Sequence, residues 1–159
     1  MRKRPPAGIP TPPHGLTPKQ QADYEKYDYK CRDRLDIPGA FPINKKNLIF
    51  LNSHEIRLGD KLFALLMRFA VELKKGKGVW VFVSDLVTGK YINDQEHRQR
   101  YSNLRTALKG SLIGKDGQKF IESDGSRNYR LSTHPDFVTY DLKKLKTHPD
   151  SQITALIKT

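Results

Sequence analysis

Two hydrophobic periods alternate along this chain and divide it into elements. Behind Gly59-Asp60, the apolar residues Leu62, Leu65, Leu66, Phe69, Ala70 and Leu73 recur three and four apart, which puts them on one face of a helix. Lys74-Lys75-Gly76 closes that helix with cations and a glycine stop. Ahead of it, Leu48-Ile49-Phe50-Leu51 and Ile56-Arg57-Leu58 flank Asn52-Ser53, the pattern of a short β-hairpin. Behind it, Val79-Trp80-Val81-Phe82-Val83 predicts a strand, and Ser84 can cap a short helical piece, Asp85-Leu86-Val87, that Gly89 ends. A longer helix is expected from Asn93 or Asp94 to about Leu112, with Tyr101, Leu104, Leu108 and Leu112 facing inward and His97 one turn upstream. Lys119-Phe120-Ile121-Glu122-Ser123 and Asn128-Tyr129-Arg130-Leu131 then flank Asp124-Gly125-Ser126-Arg127, a second hairpin with a basic tip.

The ends of the chain follow other rules. Residues 1–16 carry Pro5, Pro6, Pro10, Pro12 and Pro13 together with Arg2, Lys3 and Arg4, a basic arm in which no regular element can form. Thr17-Pro18-Lys19-Gln20 has the form of a capping box. The helix expected behind it carries Tyr24, Tyr27, Cys31 and Leu35 at spacings of three and four and ends before Pro38-Gly39. An isolated helix with such a stripe is marginal in water, so the stripe needs a partner. A homodimer formed through this helix is favoured over an intramolecular brace against the first hairpin. Near the C-terminus His134-Pro135-Asp136 recurs as His148-Pro149-Asp150, and two short helices are expected to start there, with Thr or Asp as caps. The expected division is a flexible arm over 1–16, a helix and linker over 17–46, a central unit over 47–132 and a helical extension over 133–159.

Charge narrows the partner class. The chain has 159 residues with 29 Lys plus Arg against 17 Asp plus Glu, a formal net charge of +12, which favours a polyanion. The excess is +5 over residues 1–46, +6 over 47–132 and +1 over the rest, so it belongs to the arm and the central unit. One cysteine excludes an internal disulfide and a multi-cysteine zinc site. Cys31 lies on the apolar stripe as a structural residue, and His97 has no metal-spaced partner. No metal, cofactor or enzymatic activity is expected, and no stretch approaches the eighteen apolar residues of a membrane span. A cytoplasmic, nucleoid-associated location follows from this reading.

The long helix carries the candidate chemistry. Opposite its apolar stripe lie Gln95, Gln99, Ser102, Asn103 and Thr106, flanked by Arg98, Arg105 and Lys109, with no acid among these residues. The major groove of duplex DNA admits one helix, and Gln, Asn and Arg match the donor and acceptor pattern of base edges. Arg127 at the hairpin tip can reach phosphate or the minor groove. Gln99 and Asn103, one turn apart, suit adenine. The fold class expected is α+β: a winged helix-turn-helix with an N-terminal β-hairpin, an added N-terminal helix and short C-terminal helices.

Over roughly residues 47–132 the sequence resembles the OmpR/PhoB-type winged-helix effector domain of bacterial response regulators. The resemblance rests on the opening hairpin, the helix over 60–74, the segment Tyr101-Ser102-Asn103-Leu104-Arg105-Thr106-Ala107-Leu108 and the wing-like stretch ending in Tyr129-Arg130-Leu131. It implies transcription regulation, with the long helix in the major groove of double-stranded DNA and the loop from Thr88 to Ile92 as a contact for RNA polymerase. The 46 residues before the hairpin are fewer than a receiver domain requires, so phospho-control through a linked receiver is not expected. A replication-initiation or mobile-element accessory role, and a winged helix used as a protein-interaction module, remain open alternatives.

Overall fold

A computed structural model describes residues 16–39, 46–76, 80–82, 97–111, 120–124, 128–149 and 151–158. Its elements in chain order are α1 (Pro18–Tyr27), β1 (Leu35–Ile37), β2 (Lys46–Leu51), β3 (His54–Gly59), α2 (Asp60–Gly76), β4 (Val81–Phe82), α3 (His97–Leu108), β5 (Ile121–Ser123), β6 (Asn128–Leu131), β7 (Val138–Tyr140), α4 (Leu142–Leu145) and α5 (Ser151–Lys158). One sheet has the order β3-β2-β1-β7 and the other β4-β6-β5. The protein is thus mixed α+β.

The α2 helix is the centre of the core. Phe63, Leu65, Leu66, Met67, Phe69, Ala70, Val71 and Leu73 are all buried, far more of its surface than a single amphipathic stripe would cover. The helix needs this coverage because it meets β2 and β3 on one side, β6 and α3 on another, and α5 as well. The expected hairpin in front of it is present, with a register from Lys46 opposite Gly59 to Leu51 opposite His54. Asn52 and Ser53 at its turn both have positive φ, 53° and 70°, the geometry whose twist matches that of the flanking strands. Along β2, burial alternates so that Asn47, Ile49 and Leu51 face inward.

The segment in front of the hairpin corrects the sequence expectation. The helix that begins at Thr17 ends at Tyr27, where Asp28 takes a left-handed conformation and donates its backbone N–H to the Tyr24 carbonyl. From there the chain is extended, and burial alternates: Tyr29, Cys31, Asp33, Leu35 and Ile37 are buried, with half-buried Lys30, Arg32, Arg34 and Asp36 between them. Cys31 and Leu35 therefore obey a period of two rather than 3.6, and Leu35 lies in β1, antiparallel to β2 and opposite Leu51. Of the stripe expected to join two copies of the chain, Cys31 and Leu35 are buried within one chain, and Tyr24 and Tyr27 are partly buried against the same core. Burial also pushes the Cys31 thiol well above its ordinary value, so it remains a protonated, structural group.

The second correction lies at the C-terminal end. The first His-Pro-Asp copy starts a single 3₁₀ turn, Pro135–Phe137, with His134 as its cap, and not a helix. The chain then enters β7, which pairs parallel to β1 with Leu35 opposite Val138 and Ile37 opposite Tyr140. Both histidines act as fasteners. His134, 4% exposed, accepts the Asp136 backbone N–H at Nδ1, and its Nε2 lies 2.7 Å from Asp23 of α1. That arrangement puts the proton on Nε2. His148 reaches Asn47 Oδ1 of β2 at 2.7 Å and stacks on Phe63. Segments 17–39 and 133–158 thus belong to the same core as the central unit. Among the described residues no helix is long and apolar enough to cross a membrane.

The capping box is present as expected: Thr17 Oγ1 accepts from Gln20 N at 3.1 Å, and Gln20 Oε1 accepts from Thr17 N at 3.0 Å. Thr17→Ala should lower global stability by about 1 kcal/mol, measured as a reduced urea midpoint with an unchanged slope. No shift of the midpoint would mean that α1 opens independently of the rest.

Candidate nucleic-acid interface

The α3 helix, His97-Arg98-Gln99-Arg100-Tyr101-Ser102-Asn103-Leu104-Arg105-Thr106-Ala107-Leu108, contains no acidic residue. Its inward side is fixed by Leu104 and Leu108, both buried, and by half-buried Tyr101. The Tyr101 hydroxyl donates to the Ile121 carbonyl of β5 at 2.9 Å, and its ring lies 4.2 Å from that of Tyr129 on β6. Burial raises the pKa of this phenol, which keeps it a donor at neutral pH. A 3₁₀ turn, Lys109–Ser111, continues the helix. There the Ser111 carbonyl accepts from Asn52 Nδ2 at 2.7 Å, and the same amide nitrogen reaches Asp33 Oδ1 at 2.7 Å. One end of the helix is therefore tied to the hairpin turn and its middle to the β5-β6 sheet.

With the inner face held in this way, Gln99, Ser102, Asn103, Arg105, Thr106 and Lys109 are all exposed. The structure brings these six together on one side of α3 and its terminal turn. Gln99 Nε2 donates to Asn103 Oδ1 at 2.8 Å, so the two amides form a bonded pair in the free protein. The Arg105 guanidinium lies 5.6 Å over the Tyr101 ring, a stacking that limits the orientations of a long cation. Arg98 belongs to the same helix, but the placement of its side chain lies outside the description. Gln95, Arg127, the short helix expected over 85–87 and the loop from Thr88 to Ile92 lie outside the described residues.

Two features of the site escaped the sequence. Arg130, on β6, is only 6% exposed. It pairs with Glu122 at 2.9 Å, lies 4.8 Å over the Trp80 ring, and donates to the Asp28 carbonyl at 3.0 Å. It is a buried brace joining β5, β6, the approach to β4 and the end of α1, not a surface cation. The second is a cavity of about 250 Å³ between α3 and the start of β5. Its existence depends on how Phe120 and Ile121 pack against the helix, which no local pattern encodes.

Comparison with protein-family models, with curated proteins and with solved structures gives no match.

Proposed function

We propose that this chain is a winged helix-turn-helix protein that binds double-stranded DNA through α3 and serves as a transcriptional regulator. The observation that carries the proposal is the acid-free polar face of α3, on which two carboxamides, two hydroxyls and two cations are exposed on a helix anchored at its middle and its end. An anchored helix presents its side chains in fixed register, as base readout requires. The element order supports the same reading. The helix α2 is followed by β4, α3 and the hairpin β5-β6, with β4 hydrogen-bonded to the hairpin's second strand.

In this reading Arg105 and Lys109 contact phosphates and set the helix on the duplex, while Gln99 and Asn103 exchange their mutual hydrogen bond for bonds to base edges. Selection of duplexes from a random pool with the full chain tests it. The recovered sequences should share a short motif, and Asn103→Ala should cost about 1–3 kcal/mol on that motif and relax preference at one base pair. Because the two amides are bonded to each other, Gln99→Ala and Asn103→Ala should couple rather than add. Equal losses on selected and random duplexes would show that these residues position the helix without reading bases, and recovery of no duplex at all would remove the proposal.

A further inference from the structure

The β3 strand ends the order of the four-stranded sheet. Because the hairpin turns through two residues, Asn52 and Ser53, Leu51 and His54 close it as a hydrogen-bonded pair, and the register gives Ile49–Ile56 and Asn47–Leu58 the same role. His54, Ile56 and Leu58 therefore turn their backbone groups toward β2, and Glu55 and Arg57 turn theirs away from the sheet. Among the described residues no backbone partner meets the N–H or C=O of Glu55 or Arg57. Space is open at the end of the strand, where a Cβ on Gly59 would meet no atom within 4 Å beyond its chain neighbours. Such an edge is a template for another strand, and proteins commonly guard it with lysines, a proline or a bulge. The six residues of β3 include no lysine and no proline. Instead Glu55 and Arg57, both exposed and of opposite sign, share its outer face, with Arg57 Nε 3.1 Å from Glu55 Oε2.

We propose that β3 is a dimer interface, pairing with β3 of a second copy of this chain, antiparallel and centred on Ile56. In that register Glu55 lies opposite the partner's Arg57, and Arg57 opposite the partner's Glu55. Each of these two pairs exchanges two backbone hydrogen bonds and sets opposite charges side by side. On the other face half-buried Ile56 meets its own copy. Centring the pairing on Glu55 or on Arg57 also matches the backbone groups, but it sets Glu against Glu or Arg against Arg, so charge selects the Ile56 register. A single strand edge buries less than the about 1,200–2,000 Å² of a stable interface, and monomer and dimer therefore exchange with concentration. On the DNA-binding reading given above, α3 packs beside β3, so the same two-fold axis relates two recognition helices and suits an inverted repeat.

Sedimentation of the full chain without DNA, over concentrations up to about 1 mM, tests the interface apart from any nucleic-acid activity. The wild type should dimerise reversibly. Glu55→Arg and Arg57→Glu each set like charges across the axis twice, so each should raise the dimer dissociation constant about tenfold or more. An equimolar mixture of these two variants should form a heterodimer at least as tightly as the wild type pairs with itself, because every charge then faces its opposite. That rescue also separates a lost interface from a misfolded variant. A wild type that stays monomeric throughout, a dimer that either single reversal leaves intact, or a mixture that does not associate overturns the proposal. A chain that dimerises in this way but binds no duplex keeps the interface and loses the DNA reading. A monomer that binds duplex does the reverse.

Discussion

Arg130→Ala is expected to destabilise the protein by about 3 kcal/mol, within the range found when one partner of a buried ion pair is removed. Arg130 and Glu122 have side-chain exposures of only 7% and 18%, so deletion of the guanidinium leaves a carboxylate that water reaches poorly. The same change removes the cation from over the Trp80 ring and leaves the Asp28 carbonyl without this donor. Urea unfolding measures the total. Arg130→Met keeps much of the bulk, so the difference between the Met and Ala variants reports packing. Arg130→Met combined with Glu122→Gln should recover part of the loss, because the uncompensated charge is gone. A loss below about 1 kcal/mol for Arg130→Ala would place the pair among ordinary surface salt bridges and contradict its role as a brace.

The elements with strong local periods were legible in the sequence. The α2 helix and the β2-β3 hairpin lie where apolar spacing and turn residues put them, and α3, β5 and β6 lie within the stretches expected for them, while the expected helix ends at Asn93 or Asp94 and at Leu112 and the turn residues 125–127 lie outside the described residues. The β1 strand was not, and the reason is specific: Tyr24, Tyr27, Cys31 and Leu35 fit a spacing of three and four by coincidence. The stronger signal was the alternation Tyr29, Cys31, Asp33, Leu35, Ile37 against Lys30, Arg32, Arg34, Asp36, with a buried acid disguising it. Asp33 occupies an inward position because Asn52 donates to its Oδ1 and the Thr133 hydroxyl donates to its backbone carbonyl. Those partners come from distant parts of the chain. The β7 strand is three residues long and pairs in parallel with β1, so its only determinant is tertiary. The first His-Pro-Asp copy starts only a 3₁₀ turn, whereas the second is followed by α5 as its pattern suggested, and each histidine is held by another element, Asp23 in one case and Asn47 in the other.

For the candidate site, the exposed side of α3 followed from helical spacing alone, since Leu104 and Leu108 fix which side is inward. What could not be read was the means of anchoring. The tie from Asn52 to the Ser111 carbonyl and that from Tyr101 to the Ile121 carbonyl join residues whose neighbourhood exists only in the folded chain. Arg130, in the sequence one more cation of a basic hairpin, is turned inward by Glu122 and Trp80.

The second large effect concerns Arg105 and Lys109. If both meet phosphate, Arg105→Gln combined with Lys109→Gln should reduce duplex affinity about 100-fold, from two charge-assisted contacts of about 1.5 kcal/mol each. Both side chains are exposed, so the double variant should stay folded, with a urea midpoint lowered by no more than the loss of the Arg105–Tyr101 stacking allows, about 0.5–1 kcal/mol, and lost binding cannot be ascribed to unfolding. The most direct measurement is the affinity of the full chain for a duplex as a function of salt, for wild type and for this double variant. The account predicts that log K falls linearly with log salt, and that the slope of the double variant is smaller in magnitude by about 1.8, since each phosphate contact contributes about 0.9. Duplex binding that ignores salt, or a slope unchanged by removal of both cations, would contradict the assignment of α3 as the DNA-binding helix.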